Sequence, residues 1–171
     1  MAAPSFAAPA IPGAGSGSAT VSASVNSSQD DFDAAVQEYV VTEGGIIAFD
    51  TDRALSEGAS PDVLQAGAIL TDLSEAYATE EAGGVSARKL GIPIWGNWCG
   101  PGHGGGIAKD LLDSACRTHD RCYASNGYFN CSCDRALIAT INRTYNRMHT
   151  TEKIAATAVK TYFAAQIAVK C

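Results

Sequence analysis

The sequence predicts an all-α protein in which two long helices of the C-terminal half run antiparallel. Apolar residues recur at helical spacing in several segments, and residue types that favour helix starts and ends flank these segments. No stretch of the 171 residues has the alternation of a confident strand, and no internal repeat is present. This length suits one domain, or one domain with a substantial extension.

The N-terminal half divides into an uncharged segment and two predicted helices. Residues 1–29 are rich in Ala, Gly, Ser and Pro and are predicted to be disordered, because they cannot bury enough apolar surface to offset the entropy lost on ordering. Residues 30–42 are predicted to be weakly helical and to end at Gly44-Gly45. A clearer helix over residues 60–82 has Ser60 as its N-cap, followed by a proline.

Three helices are predicted in the C-terminal half, over about residues 109–125, 132–149 and 151–170. Asn126-Gly127 ends the first of them with a left-handed residue. Because the connection to the second helix is short, these two helices are expected to be antiparallel neighbours. Residues 91–107 precede them as a glycine-rich loop.

The two halves of the chain carry opposite charge. Residues 1–90 hold 13 acidic and 3 basic side chains, whereas residues 91–171 hold 5 and 9. We therefore predict an acidic helical extension over residues 30–90, a pro-region or lid whose apolar face packs on the basic half. The basic half is either an attractant for an anionic surface such as phospholipid headgroups or a solvated helical face. Nucleic acid is not an expected partner, because no dense Arg/Lys run with interleaved aromatic residues is present.

The sequence contains no transmembrane segment and no intact signal peptide. No stretch approaches the roughly 18 uninterrupted apolar residues of a spanning helix. The N-terminus lacks a basic region followed by a sustained apolar run, so we interpret Met1 as the start of a recombinant or already trimmed chain.

The cysteines favour disulfides and an oxidising compartment, because an even number of them falls in one short segment. All six lie in the second half of the chain: Cys99, Cys116, Cys122, Cys131, Cys133 and Cys171. A zinc site is the alternative, with Cys131, Cys133 and nearby histidines as ligands. The cysteine spacing matches no standard zinc finger.

One predicted helix carries the string CRTHDRCY, from Cys116 to Tyr123. It places His119, a candidate general base, beside Asp120, a candidate ligand for a hard metal ion. Adjacent helical residues diverge by roughly 100° around the axis, so the two side chains can serve different partners, one a water molecule and the other a metal. An isolated His-Asp pair on a helix is more often an exposed pair without a function. The flanking cysteines and the loop before the helix are what favour a functional site here.

The loop WCGPGHGGG, from Trp98 to Gly106, precedes that helix. Its glycines permit unusual φ angles and allow several backbone carbonyl groups to converge. Carbonyl oxygens and one carboxylate are ligands suited to calcium. A phosphate-binding loop is excluded because no Gly-Lys-Ser/Thr follows, which leaves a flexible structural loop as the alternative.

Together these motifs resemble the secreted, calcium-dependent phospholipase A2 family over about residues 94–145. WCGPGHG is similar to the calcium loop, DLLDSACRTHDRCY to the active-site helix, and CSCDR to the opposing helix. The resemblance implies a disulfide-bridged core with two antiparallel long helices and a calcium loop, plus the N-terminal helical extension. Residues 91–171 would then be the phospholipase A2 catalytic domain.

The resemblance implies a role for each site residue. Calcium would be held by four groups: the carbonyl oxygens of Trp98, Gly100 and Gly102 and the carboxylate of Asp120. His119 would be the general base, and Asp134 would accept a hydrogen bond from its second ring nitrogen. Tyr123 would support that Asp, and the backbone N–H of Gly100 would complete the site for the oxyanion.

The resemblance also implies a set of disulfides. The pairings would be Cys99–Cys116, Cys122–Cys133 and, for the two cysteines that remain, Cys131–Cys171. Only eight residues separate Cys122 from Cys131, too few for the two-stranded β-wing of venom and pancreatic members. The second supporting tyrosine that this region usually supplies has no counterpart in the motifs, and Tyr128 is suggested for it by its position alone.

The resemblance implies calcium-dependent hydrolysis of the sn-2 acyl ester of glycerophospholipids at a membrane or micelle surface. A water molecule activated by His119 would release a free fatty acid and a lysophospholipid, and the protein would be secreted. The alternative is a catalytically weak phospholipase-like module that binds a membrane or ligand, or a toxin subunit. Retention of His119, Asp120 and Asp134 favours the enzyme.

Overall fold

The computed structural model describes residues 23–81 and 92–171, which are mostly helical, so the predicted all-α class is confirmed. The elements follow in this order: α1 Gln29–Gln37, β1 Val40–Glu43, β2 Ile46–Phe49, α2 Thr51–Ser56, α3 Pro61–Glu81, α4 Leu111–Asn126, α5 Cys131–Thr144, a 3₁₀ turn Tyr145–Arg147, and α6 Thr150–Lys170. The glycine-rich loop, described from residue 92 onward, lies between α3 and α4.

A small antiparallel hairpin, β1–β2, is the local exception to the helical class. Gly44 and Gly45 form its two-residue turn with φ of 59° and 86°, so they join two strands and do not end a helix. The flanking strands VVTE and IIAF are rich in β-branched residues, which favour extended backbone. Ile47 and Phe49 are buried in the core, which fixes the hairpin on the rest of the molecule.

The described part of the N-terminal segment is ordered and packs on the core. Ala23 and Val25 are only 5% and 4% exposed. A turn follows them, and Ser28 caps α1 as its N-cap residue. Of the predicted disordered segment 1–29, residues 1–22 lie outside the described residues.

α3 begins as the sequence predicts and packs closely on the hairpin. Ser60 Oγ accepts a hydrogen bond from the N–H of Val63 at 3.3 Å, which makes Ser60 the N-cap. Gly67 lies in the middle of the helix, where a Cβ atom would be 2.3 Å from the ring of Phe49. The glycine is therefore present for close packing between helix and strand.

α6 is the central helix of the molecule and contacts α1, α3 and α5. Its buried side chains belong to the same core cluster as those of α1 and α3. The predicted acidic extension and the basic C-terminal half thus share one hydrophobic core.

Polar contacts also join the two halves. Lys160 of α6 forms an ion pair with Asp33 of α1, and Gln29 Nε2 donates to Asn142 Oδ1 at 2.8 Å. Burial raises the pKa of Asp33 above its ordinary value, while the ion pair with Lys160 acts in the opposite direction. The contact between acidic and basic segments agrees with the prediction made from their opposite charges.

All three expected disulfides are confirmed, and no cysteine is free. Cys99–Cys116 joins the glycine-rich loop to α4, Cys122–Cys133 joins α4 to α5, and Cys131–Cys171 joins the start of α5 to the end of α6. Since no thiolate remains, a cysteine-ligated zinc site is excluded. Among the described helices, none is both long and apolar enough to cross a membrane.

The start of α6 is bonded to the start of α4. Glu152, 2% exposed, accepts the N–H of His149 at 3.2 Å and the N–H of Leu112 at 2.8 Å. The helix predicted over 132–149 ends at Thr144, so His149 begins the next helix and does not end the previous one. A single buried carboxylate therefore satisfies N-terminal N–H groups of two helices.

Candidate active site

α4 carries the candidate site and is fixed at several points. Its N-cap Asp110 accepts the N–H of Asp113 at 2.8 Å. Cys116 and Cys122 lie three residues before and three residues after His119, and each is in a disulfide. The helix that bears His119 is therefore covalently held to the loop on one side and to α5 on the other.

His119, Asp134 and Tyr123 form a buried hydrogen-bonded group. His119 Nε2 donates to Asp134 Oδ1 at 2.8 Å, and Tyr123 Oη donates to the same oxygen at 2.5 Å. The three residues are 5%, 0% and 3% exposed. Because a buried carboxylate requires hydrogen bonds to offset its lost hydration, these donors are needed for the fold as well as for any chemistry. With Nε2 bonded to Asp134, Nδ1 is the ring nitrogen left for another partner.

Aromatic rings enclose the imidazole of His119. Its centroid lies 4.1 Å from that of Tyr123 and 4.8 Å from that of Phe163, on α6. Burial, and then the hydrogen bond to Asp134, raise the pKa of the Tyr123 phenol well above its ordinary value, so it stays a proton donor. Phe163 belongs to no motif, so the sequence did not indicate that it lies beside His119. An apolar residue at helical spacing predicts only a place in the core.

Asp120 faces a different space from Asp134. An open cleft of about 540 Å³ has these residues in its lining: Gly102, His103, Gly104, Asp120, Tyr123 and Tyr128. Burial raises the pKa of the Asp120 carboxyl to about 7, and the charge of nearby Asp113 adds to the effect. A cation beside this carboxylate would favour its ionised form.

Asp113 anchors the glycine-rich loop to α4, a role that the motifs do not reveal. Its fully buried carboxylate accepts the backbone N–H groups of Asn97, Trp98 and Lys109 at 2.9, 2.7 and 2.8 Å. The signal in the sequence was an acid in the first turn of a predicted helix, which indicates only a favourable dipole interaction. That it binds three loop N–H groups depends on the folded path of the loop.

Gly100 occupies a position that only glycine can fill. Its φ is +134°, and a Cβ atom there would lie 1.9 Å from the carbonyl oxygen of Ile92. Its own carbonyl accepts the N–H of His103 at 3.1 Å and retains a second lone pair. Gly102 also has a positive φ, of 66°, so the loop turns sharply through the predicted ligand segment.

A second cavity, of about 10 Å³, lies between the two motifs. His119, Asp120 and Gly100 line it, together with Leu73 and Tyr77 of α3. Its volume is near the minimum for a single water molecule. The base, the carboxylate and the loop therefore adjoin one small space, and α3 supplies an apolar wall that the sequence motifs did not include.

Asp120 and the backbone of the glycine-rich loop lie next to each other. A Cβ atom on Gly104 would lie 3.5 Å from Asp120 Oδ2, so the loop packs directly against this carboxylate. Within residues 23–81 and 92–171, no group of three His, Cys, Asp or Glu side chains could hold a metal. A metal bound here would depend on one carboxylate and the backbone oxygens of the loop, which are ligands that calcium accepts.

The second oxygen of Asp134 is bonded by a residue outside all three motifs. Gln166, near the end of α6, donates from Nε2 to Asp134 Oδ2 at 3.2 Å. Tyr128, the predicted candidate for a second supporting tyrosine, packs its ring 4.9 Å from that of Tyr123. A glutamine inside a helix is not a sequence signal for a functional site. The contact of Gln166 with Asp134 is therefore seen only in the packing of α6 on α5.

Part of the chain is similar to curated phospholipases A2. It is 44% identical over 52 residues to an acidic phospholipase A2 of Austrelaps superbus, which covers 30% of this chain and 33% of that protein. The acidic phospholipase A2 homolog taipoxin gamma chain of Oxyuranus scutellatus scutellatus is also 44% identical over 52 residues, with the same two coverages. Phospholipase A2-beta of Arabidopsis thaliana is 38% identical over 52 residues, 29% of this chain and 35% of that one.

The matched stretch spans about a third of the length of each of these relatives. No protein-family model matches the chain, and no solved structure matches it significantly. The chain is thus phospholipase A2-like over this stretch.

Proposed function

We propose that the protein is a secreted, calcium-dependent phospholipase A2 that hydrolyses the sn-2 acyl ester of glycerophospholipids. One observation carries the proposal: the group His119–Asp134–Tyr123 lies beside a separate carboxylate, Asp120, against which the glycine-rich loop packs. The partial similarity to phospholipases A2 supports it. A base and a hard-cation site together meet the two needs of ester hydrolysis at neutral pH, an activated water and an electrophile.

His119 is the proposed general base. Its Nδ1 takes a proton from the water that attacks the ester carbonyl, since Nε2 is bonded to Asp134. Asp134 holds the ring in one tautomer and stabilises the imidazolium that forms. His119 then returns the proton to the leaving oxygen, so the products are a free fatty acid and a lysophospholipid. General-base catalysis of this kind contributes roughly 10²–10⁴ in rate.

Four groups of the chain are the proposed calcium ligands: the carbonyl oxygens of Trp98, Gly100 and Gly102 and the carboxylate of Asp120. When bound, calcium supplies positive charge that stabilises the oxyanion developing on the ester carbonyl. The N–H of Gly100 is proposed to donate to the same oxyanion. The mechanism requires no Ser or Cys nucleophile, in agreement with cysteines that are all in disulfides.

A phospholipid membrane or micelle surface is the proposed site of action. Exposed basic side chains of the C-terminal half would attract anionic headgroups. These are Lys109, Arg121, Arg135, Arg143 and Arg147. Three disulfides support a secreted protein, because such bonds persist in oxidising compartments.

The test is hydrolysis of phospholipid vesicles that carry a labelled sn-2 chain. We expect labelled fatty acid to be released with calcium, to be absent with a chelator, and to fall at least about 10²-fold in His119→Gln. Thr118→Ala changes the exposed neighbour of His119 and should keep wild-type activity. Activity that survived the chelator or the His119 substitution would contradict the proposal.

A phospholipase-like binding module is the second candidate. The chain is similar to a relative that is named a phospholipase A2 homolog, and this similarity supports the binding module as an alternative. Calcium-dependent binding to the same vesicles, without release of labelled fatty acid, would identify such a module.

A further inference from the structure

We propose that Gln166 is a positioning residue for the general base and acts through Asp134, an inference that rests on the proposed function. Asp134 Oδ1 accepts from His119 and Tyr123, both on α4. Asp134 Oδ2 accepts from Gln166 Nε2, on α6, at 3.2 Å. The carboxylate is therefore held from two helices, through both of its oxygens.

The side chain of Gln166 is buried, so its amide does not serve to hydrate the protein surface. The residue is 1% exposed and lies in the molecular core. Its Oε1 is buried and has no hydrogen-bond partner among the described residues. A buried amide costs free energy unless it is bonded, so an apolar side chain would serve packing better at this position. Its bond to Asp134 offsets part of this cost, and its side chain also interacts with Tyr123, another donor to that carboxylate.

A bond to Oδ2 restricts how the carboxylate of Asp134 can turn. Without it, the carboxylate would be freer to turn about the Cβ–Cγ bond, out of the plane in which Oδ1 faces His119 Nε2. The bond to Oδ2 fixes the plane of the carboxylate. The fixed carboxylate in turn sets the orientation and the tautomer of the His119 ring. A neutral donor also draws negative charge toward Oδ2, which moderates the hydrogen bond between Oδ1 and His119.

The third disulfide holds the two helix ends that bear this bond. Cys131 is three residues before Asp134, and Cys171 is five residues after Gln166. The bridge between them keeps the end of α6 beside the start of α5. The donor and the acceptor are thus kept together by a covalent link outside the site itself.

The test compares Gln166→Met with the native protein and with Thr161→Val. Methionine has a similar length but cannot donate, while Thr161 is another buried polar residue of α6 and is 4% exposed. In Gln166→Met we expect kcat to fall about 10-fold with KM unchanged within twofold, and calcium affinity measured by calorimetry to stay at the native value. The NMR resonance of the proton on His119 Nε2 should move downfield or be lost. Thr161→Val should leave kcat and the resonance unchanged.

A native kcat with an unmoved resonance in Gln166→Met would overturn the proposal, as would equal losses in Thr161→Val. Gln166→Asn, whose amide is too short to reach Asp134, serves if Gln166→Met does not fold, and the same losses are expected. In the native protein, the side-chain amide protons of Gln166 should exchange with solvent at least about 10-fold more slowly than those of exposed Gln65. Equal exchange would also overturn it. If the native protein hydrolyses no phospholipid, the proposed function fails, and the His119 resonance still decides whether Gln166 controls the ring.

Discussion

At the scale of single residues, Asp113 determines how the glycine-rich loop meets α4. Its carboxylate accepts three backbone N–H groups and has no contact with solvent. Asp113→Asn replaces one acceptor oxygen with an NH₂ group, so we expect a loss of about 2–3 kcal/mol in the free energy of unfolding. Calcium affinity should fall about 10–100-fold, because the loop that carries the proposed ligands is no longer held.

Denaturant unfolding and calcium calorimetry measure the two effects of Asp113→Asn. Asp52→Asn removes the same charge from an exposed position and should change neither quantity measurably. A native calcium affinity in the Asp113 variant would show that the loop holds its shape without this anchor.

In the calcium-free protein, Asp120 should make the free energy of unfolding depend on pH. Burial raises its pKa from 3.8 to about 7, so between these values the folded state binds a proton more tightly than the unfolded state does. The contribution of Asp120 to the free energy of unfolding therefore decreases as pH rises through this window and is constant above it. Asp120→Asn cannot carry the charge, so at pH of about 8 it should be more stable than the native protein by about 1–3 kcal/mol.

Unfolding with a chelator present, followed from pH of about 4 to about 8 in both proteins, measures the effect at Asp120. The difference between the two proteins should be small at the acidic end and should grow toward neutral pH. Saturating calcium should reverse the order, since only the native protein keeps the carboxylate. A difference that did not vary with pH would contradict the burial of Asp120.

At the level of residues, the sequence could predict which side chains share one helix, while the catalytic and ligand roles of those side chains stay predictions. The spacing of His119, Asp120 and Tyr123 on one helix, with the resemblance to a known family, led to residues that the fold brings to one region. The role of Gln166 was not predicted, because its partner Asp134 is 32 residues away. The role of Asp113 was not predicted, because its partners lie along an irregular loop.

At the scale of secondary-structure elements, the glycine-rich loop is expected to tolerate a side chain at some glycines and not at others. Gly100→Ala places a Cβ atom 1.9 Å from the carbonyl oxygen of Ile92, at a φ that L residues rarely adopt. We expect calcium affinity to fall at least about 10-fold, because the loop must shift away from Asp120.

The matched control for Gly100→Ala is Gly105→Ala, in the same loop. A Cβ atom on Gly105 meets nothing within 4 Å. This variant should bind calcium with native affinity in the same calorimetric titration. Equal affinities for the two variants would mean that the conformation at Gly100 is not required for binding.

Element boundaries were predicted well where caps are clear and poorly where two signals compete. Ser60 and the proline after it correctly placed the start of α3. In VVTEGGIIAF, the glycine pair was interpreted as a helix end, although a Gly-Gly pair between β-branched runs is also a hairpin signal. The hairpin forms because Phe49 packs against Gly67, a contact between segments that the local sequence does not report.

At the scale of the whole molecule, the N-terminal extension and the C-terminal half share one core. Leu70 and Leu73 of α3 pack in the same cluster as Val159 and Phe163 of α6. A chain of residues 92–171 alone would expose this apolar face of α6. We therefore expect it not to fold cooperatively, even with its disulfides, because its loss of buried apolar area is worth many kcal/mol.

Circular dichroism and thermal unfolding of the 92–171 chain test this expectation, with the full chain as the control. A cooperative transition with native activity on vesicles would contradict it and would also exclude a lid role for residues 30–90. The charge asymmetry predicted the contact between the two segments, but not that α3 forms one wall beside His119.

The central feature of the proposed mechanism is that adjacent residues of α4 serve different partners. His119 is bonded to Asp134, whereas Asp120 adjoins the glycine-rich loop. The most direct measurement is calorimetric calcium binding, paired with vesicle hydrolysis, for His119→Gln and Asp120→Asn. We predict that His119→Gln binds calcium with native affinity but loses hydrolysis at least about 10²-fold, and that Asp120→Asn loses both. Loss of calcium binding in His119→Gln, or native calcium affinity in Asp120→Asn, would contradict this division of roles.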